Sequence, residues 1–419
     1  MKCVNNSLAL VAGISFCLVA AVAQGQVQRT FFGMGVAATS DMPKVKMGTL
    51  SHPPLAWTSI EGTARGSFDF SQMDQFVLGA PKNSHGVAQI DVALGWTPGW
   101  AVASQSSCVT QKNGVVGCTV PPDHMKDWTD FITALVEHYN GSTAPHIQYY
   151  EIWNEANTTP FWSGSVTSLI AMAQAAYPIL KQDQYSQVMT PSVVWPTGVT
   201  FMTSYLKGGG YNYADGLTFH GYPSKTGKGV KTPVPLPESS SSTNAPIQTM
   251  ITGFRQVADT NGLKGKPLLS TEGGWGVNGV TDADMQAAWI AQFEIVQAGL
   301  ATQNDMQLTT WFTWGHSLSG TIETTSGDPT EAGDAYDEVY EWIIGQTPLP
   351  CTASGNIWSC PVTKSLIVWD ISQTCSNGVC TTAPYTPPKG YIKYIDLTGT
   401  VSNINGSIAL GVKPILMEQ

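Results

Sequence analysis

The sequence predicts an α/β protein, a (β/α)8 TIM barrel followed by a small β-sandwich. Three observations lead there. Strand-like runs alternate with helical patterns from about Thr30 to Ile344, which implies a parallel sheet. Eight such runs fit a closed barrel better than an open, doubly wound sheet. From Pro350 the helical periodicity stops and short strands separated by turns take over.

The strand candidates are Phe31–Val36, Met47–Leu50, Ala88–Leu94, Ile147–Trp153, Gln187–Val194, Gly216–His220, Pro267–Thr271 and Gln307–Phe312. The clearest helices between them are Met125–Tyr139, Val166–Gln182, Ile247–Thr260, Asp282–Ala298 and Ala332–Ile344. The last opens with acids and repeats Tyr336, Val339, Tyr340 and Ile343 at three- and four-residue spacing, which makes one apolar face. Gly33-Met34-Gly35 lacks the third glycine and the helix start of a dinucleotide fingerprint. Two long loops, 101–123 and 223–246, follow strands and are expected on the C-terminal face of the barrel, where such folds keep their chemistry. Ser365–Asp370, Tyr391–Leu397, Ser407–Val412 and Pro414–Met417 read as strands of the second unit. The expected division is a leader at 1–23, the barrel at 24–349 and the β-rich unit at 350–419.

The leader is expected from Lys2, the apolar run Leu8–Ala23 and a small-x-small ending at Ala21-Val22-Ala23. Cys3 and Cys17 would leave with it. The other six cysteines form close pairs, 108 with 118, 351 with 360 and 375 with 380, which read as disulfides in an exported chain. A secreted or periplasmic protein with no membrane span in its mature form is the expectation. Zinc is the rival use of these cysteines, but no CxxC spacing occurs, and the seven histidines show no HxH or HExxH pattern. No metal or cofactor is expected. Acids outnumber bases 30 to 20 and only 12% of residues are charged, which argues against nucleic acid and suits a neutral substrate. Fourteen Trp and fourteen Tyr offer flat faces to sugar rings, although much of this aromatic content must be core.

Two carboxylates focus the functional reading. Tyr149-Tyr150-Glu151-Ile152-Trp153-Asn154-Glu155-Ala156-Asn157 ends the fourth strand, and Leu268-Leu269-Ser270-Thr271-Glu272-Gly273-Gly274-Trp275 ends the seventh. Strand ends on one face of a barrel can aim Glu155 and Glu272 at one point from opposite sides. Glycoside hydrolysis needs that arrangement: one carboxyl group protonates the leaving oxygen while the other, ionised, attacks the anomeric carbon. Glu151 and Asp91 sit mid-strand and read instead as members of the barrel core or of a structural network.

The Trp-Asn-Glu triplet and the lone strand-seven Glu resemble clan A of the glycoside hydrolases. Tyr150–Asn157 followed by Phe161-Trp162-Ser163-Gly164, and Trp57-Thr58-Ser59-Ile60-Glu61 with Gly66-Ser67-Phe68-Asp69-Phe70, are similar to family 39 and its relatives. The resemblance covers most of the barrel and implies Glu155 as general acid/base, Glu272 as nucleophile and Asn154 as holder of the sugar 2-hydroxyl. It further implies retention of configuration, and contact of His220 and Tyr222 with the nucleophile or the sugar. A hydroxyl donated by Tyr222 would favour the ionised form of Glu272. A packed core His is the alternative for His220.

The same resemblance implies a tryptophan platform at the end of strand eight, where Trp314 is the choice and Trp311 is assigned to the core. Trp162, Trp96 and Trp100 are further stacking candidates, each equally able to be packing. One departure stands out. Relatives commonly carry an Arg near the end of strand two, where this chain reads Leu50-Ser51-His52-Pro53-Pro54, so His52 is a candidate for part of that role. The reading is a monomeric retaining β-glycosidase or endo-glycanase acting on an extracellular poly- or oligosaccharide. A non-catalytic carbohydrate-binding barrel and a transglycosylase using the same carboxylates are the alternatives.

Overall fold

The computed structural model describes residues 25–36, 41–83, 87–110, 116–142, 145–222, 246–275, 280–315 and 321–419, with backbone alone at 52–56 and 80–83. The expected leader, nearly all of loop 223–246 and the side chain of His52 lie outside the described residues.

Eight parallel strands form the central sheet: β1 (Phe32–Val36), β2 (Thr49–Ala56), β3 (Gln89–Gly95), β4 (Tyr149–Glu151), β5 (Gln187–Met189), β6 (Leu217–His220), β7 (Leu268–Glu272) and β8 (Met306–Trp314). Their order is β5-β4-β3-β2-β1-β8-β7-β6. Parallel bridges from Met189 to Gly216 and from Val194 to His220 join the two outer strands, which closes the barrel. The helices are α1 (Ser71–Asn83), α2 (Met125–His138), α3 (Val166–Leu180), α4 (Thr197–Lys207), α5 (Ile247–Thr260), α6 (Ala283–Leu300) and α7 (Glu331–Ile343). No helix lies in the described part of the connection from β1 to β2. Side-chain oxygens of Ser165, Asp282 and Thr330 accept the free N–H groups of Ser168, Met285 and Gly333, so α3, α6 and α7 start at capping residues.

Inside the barrel the side chains fall into layers. Tyr149, Met189, Leu269 and Leu308 make an apolar floor. Above it the layer is polar: Ser51 donates to Asp91 at 3.1 Å and lies 3.4 Å from Thr310, and Glu151 is 1% exposed. Asp91 and Glu151 are thus where a mid-strand reading puts them, in the core.

Beyond Pro350, six antiparallel strands form a sheet, and Ala383–Tyr385 pairs with Ile408–Leu410 alongside it. Alternation divides this sheet. Trp358, Cys360, Ile367, Trp369 and Leu416 join the core that runs into the barrel, whereas Val368, Ile415 and Met417 meet Leu410 in a second cluster. All three cysteine pairs are bonded as expected, each across an antiparallel ladder.

Helix α6 lies between the two parts and is buried from Gln286 to Leu300. Phe293 and Trp289 face Trp275 of the barrel, while Gln292 donates to the Val412 carbonyl at 2.9 Å and Asp284 pairs with Lys413. A helix covered on every side needs no polar face, so its sequence is apolar nearly all round.

Gly33 on β1 packs directly against β8: a Cβ there would lie 2.6 Å from Thr310 Oγ1 and 2.8 Å from Leu308 Cδ1. Gly33→Ala is expected to destabilise the chain by about 1–3 kcal/mol through overpacking, read as a lower urea midpoint with unchanged slope.

Candidate active site

The chain leaves β4 in an extended path that still pairs with the chain beyond β5. The Trp153 carbonyl accepts from the Ser192 N–H at 2.9 Å, and the Ala156 N–H donates to the Ser192 carbonyl at 3.0 Å. Between these bonds Glu155 adopts φ 41°, in the left-handed region that a non-glycine residue enters at a cost of about 1–3 kcal/mol. Its N–H donates to Ser192 Oγ at 3.2 Å, and its carbonyl accepts from Thr158. The indole of Trp153 donates to the Phe161 carbonyl at 2.8 Å and pins the following turn. Asn154 is 3% exposed, and its Oδ1 has no partner.

Glu272 closes β7. Its carbonyl accepts from Gly221, and the Gly273 carbonyl accepts from Phe312. The two glycines after it are required by space and conformation: a Cβ on Gly273 would come within 2.6 Å of Phe293 Cζ, and Gly274 has φ 134°.

These turns bring the two carboxylates together. One oxygen of Glu155, one of Glu272 and a ring nitrogen of His220 all lie within 4.8 Å of one another. His220, at the end of β6, is 1% exposed. Its Nδ1 sits 2.9 Å from Glu155 Oε1 and 3.4 Å from Glu272 Oε2, so one imidazole nitrogen bridges both groups. Tyr222 donates its hydroxyl to Glu272 Oε2 at 2.6 Å.

The electrostatics follow from burial. Loss of water pushes Glu272 up, and the charge of Glu155 adds to this; His220 and the Tyr222 hydroxyl pull the other way, and the balance is about 7. The Tyr222 bond expected from the sequence is present, but burial outweighs it. For His220, burial lowers the value, yet the charges of Glu272 and Glu155 and the bond to Glu155 raise it to about 9. The imidazole is therefore a cation at neutral pH. Three such groups have the span of a metal site; in the imidazolium form Nδ1 carries a proton towards Glu155 Oε1, 2.9 Å away.

The aromatic candidates divide. Trp96 is half-buried, with φ 55°, edge-on to Phe161 at 6.0 Å. Trp314 corrects the expectation of a platform: it is completely buried, and its indole donates to Asp41 Oδ1 at 3.2 Å. Trp162 is also corrected, being 4% exposed and packed edge-on against Trp153. Trp100 donates to the Glu61 carbonyl and carries the Arg65 guanidinium 5.4 Å above its ring, which is a packing role. Trp311 packs against Trp275 and Phe293 outside the barrel, as assigned. Phe312 is the residue the sequence reading passed over. It is half-buried, and alternation from the inward Leu308 and Thr310 turns it towards the barrel interior at the mouth.

Two outcomes are expected. Ser192→Ala removes the acceptor of the Glu155 N–H and should cost about 1–2 kcal/mol of stability, measured by denaturant titration. Glu272→Gln should raise the melting temperature at pH 8. The carboxyl value rises from 4.5 to about 7, so its ionisation opposes folding above pH 7 and has no effect below 4.5. A gain of about 1–3 kcal/mol at pH 8, absent at pH 4.5, is the expected signature.

No family model matches the chain, and no curated protein matches it in sequence. Solved structures do. A family 39 glycoside hydrolase from Bacteroides cellulosilyticus superposes with a TM-score of 0.68 at 16% identity, over 93% of this chain and 81% of that one. A monomeric β-xylosidase from Caulobacter crescentus gives 0.65 at 14%, over 94% and 96%. A family 30 subfamily 8 xylanase from Clostridium acetobutylicum gives 0.58 at 13%, over 95% and 97%. At such identities the likeness is one of fold, and the fold this chain shares is that of family 39 glycoside hydrolases and related barrels of clan A.

Proposed function

We propose that the chain is a retaining glycoside hydrolase, with Glu155 as general acid/base and Glu272 as nucleophile, acting on an extracellular poly- or oligosaccharide. One observation carries the reading: two carboxylates from β4 and β7 approach within 4.8 Å across a shared, buried imidazole. Carboxyl groups about 5–5.5 Å apart suit direct attack on the anomeric carbon, whereas inverting pairs stand about 6.5–9.5 Å apart to admit a water. Glu155 gives its proton to the leaving oxygen as the C–O bond breaks, and Glu272 forms an ester to the sugar. Glu155 then takes a proton from water, whose oxygen displaces Glu272 and restores the first configuration.

The surroundings support these roles. Tyr222 donates to Glu272 Oε2, a bond that favours the ionised form a nucleophile needs. Asn154 holds an unpartnered amide oxygen beside Glu155, an acceptor suited to a sugar hydroxyl. Phe312 and Trp96 are the aromatic faces best placed to stack on sugar rings. A binding module has no use for a second part-buried carboxylate or for strain at Glu155, which favours an enzyme. Three disulfides suit an oxidising compartment, secreted or periplasmic.

The test is kinetic, on a panel of aryl glycosides and xylan-type polysaccharides. Glu155→Ala should lose about 10²–10⁴-fold on substrates whose leaving group needs a proton, and far less on activated aryl glycosides, with partial rescue by azide. Glu272→Ala should be nearly inactive on both. Equal losses for the two leaving-group classes, or an inverted first product by NMR, would reject the scheme.

A further inference from the structure

Below the two carboxylates, the barrel interior holds a second acidic pair that the proposed chemistry does not use. Asp91 on β3 and Glu151 on β4 are 2% and 1% exposed, and no lysine or arginine among the described residues pairs with either. They point inward from neighbouring strands, with Ala93 opposite Glu151 and Asp91 opposite Tyr149, so the two side chains are diagonal neighbours on one face. Ser51 donates to Asp91 Oδ2. Hydroxyls of Thr271, Ser192 and Thr218 surround Glu151. One oxygen of each acid, Asp91 Oδ1 and Glu151 Oε2, is buried with no donor. Two acceptors within reach of one another are both satisfied by a single proton held between them.

We propose that Asp91 and Glu151 share one proton, and that the single negative charge left on them holds His220 as an imidazolium between Glu155 and Glu272. The charges that face this dyad are His220 from β6 and the carboxylates of Glu155 and Glu272 above; from β4, Tyr149 adds its phenol. Burial pushes both acids up, Asp91 well above its ordinary range, and the charge of Glu151 raises Asp91 further, as expected when two acids cannot both ionise.

The inference rests on the glycosidase reading for its purpose, not for its physics. In that mechanism the upper pair carries one negative charge throughout. The charge sits on Glu272 before attack and on Glu155 once the ester has formed. Nδ1 of His220, 3.4 Å from one and 2.9 Å from the other, faces the charge in both states. A fully buried imidazole serves as that bridge only while it stays protonated, and the charge beneath it adds to the hold of Glu272 and Glu155. Asp91 and Glu151 are positioning residues, acting through His220.

The experiment titrates His220 by NMR in the full chain labelled at histidine Cε1, with the resonance assigned from His220→Asn. The variants are Asp91→Asn, Glu151→Gln and the double variant, each checked for folding by circular dichroism. Each single change leaves one charge on the dyad, so the midpoint of His220 should stay in place. The double change removes that charge, and the midpoint should fall by about one pH unit or more. Parent-minus-variant infrared spectra should show the same protonated-carboxyl band for Asp91→Asn as for Glu151→Gln, while the bands of the other protonated carboxyls, Glu155 among them, cancel. If the double variant does not fold, the single variants still decide the matter. A fall in the midpoint in each would mean two separate charges. An unmoved midpoint with a different band lost in each variant would mean two neutral acids. Either result overturns the proposal. Should the titration agree while no glycoside is cleaved, the dyad stands and the glycosidase reading fails.

Discussion

The contact on which the site depends is the bridge from the His220 imidazole to the carboxylates of Glu155 and Glu272. In the proposed cycle two part-buried carboxyl groups within 4.8 Å carry one negative charge between them, and the cation beside them offsets the cost of taking that charge out of water. A buried imidazole alone would lose its proton. Together they hold charge that none would hold separately, because each group's desolvation is offset by the others. The rest of the barrel is arranged to keep the three ends in place: β6 carries His220, β7 carries Glu272, and the β4 extension turns Glu155 back over the mouth.

This arrangement is held against its own preference. Glu155 sits in the left-handed region, and Glu272 has a carboxyl group that folding pushes towards neutrality. Such features persist only where the surroundings over-determine them. Here the Ser192 backbone and hydroxyl tie down the β4 turn, and β6 and β8 flank the Glu272 turn through Gly221 and Phe312. Stability gained in the packed layers below offsets the strain above, the usual division in an enzyme barrel.

Much of the fold could be read from the chain because its elements repeat with clean periods. The α5 limits coincide with those expected, since Ile247, Met250, Ile251, Phe254 and Val257 make one buried stripe. Ser71–Asn83 and Thr197–Lys207 were not singled out: the first carries a glycine and a proline, and the second buries only Gly198, Met202, Tyr205 and Leu206. The bonded cysteine pairs followed from spacing, and the meeting of Glu155 with Glu272 followed from their places at strand ends. The aromatic assignments were harder. Trp314 and Phe312 sit two positions apart on a strand whose pairing with β1 slips between Met34 and Val36, so counting alone does not tell which ring faces the mouth. The pull of burial on Glu272 was likewise beyond sequence, because it depends on how much water the assembled site excludes.

The full enclosure of α6 reaches further than packing. Trp275, three residues beyond Glu272, lies edge-on to Trp289 of α6, and the same helix is gripped by the turn at 412–413 through Gln292 and Asp284. Cutting the chain at Pro350 would therefore bare part of a helix that supports Trp275, just beyond Glu272. The β-rich region behaves as a structural buttress of the barrel, not as a detachable appendage. Its exchange for another module would have to reproduce the helix-facing surface before the loop after Glu272 could keep its place.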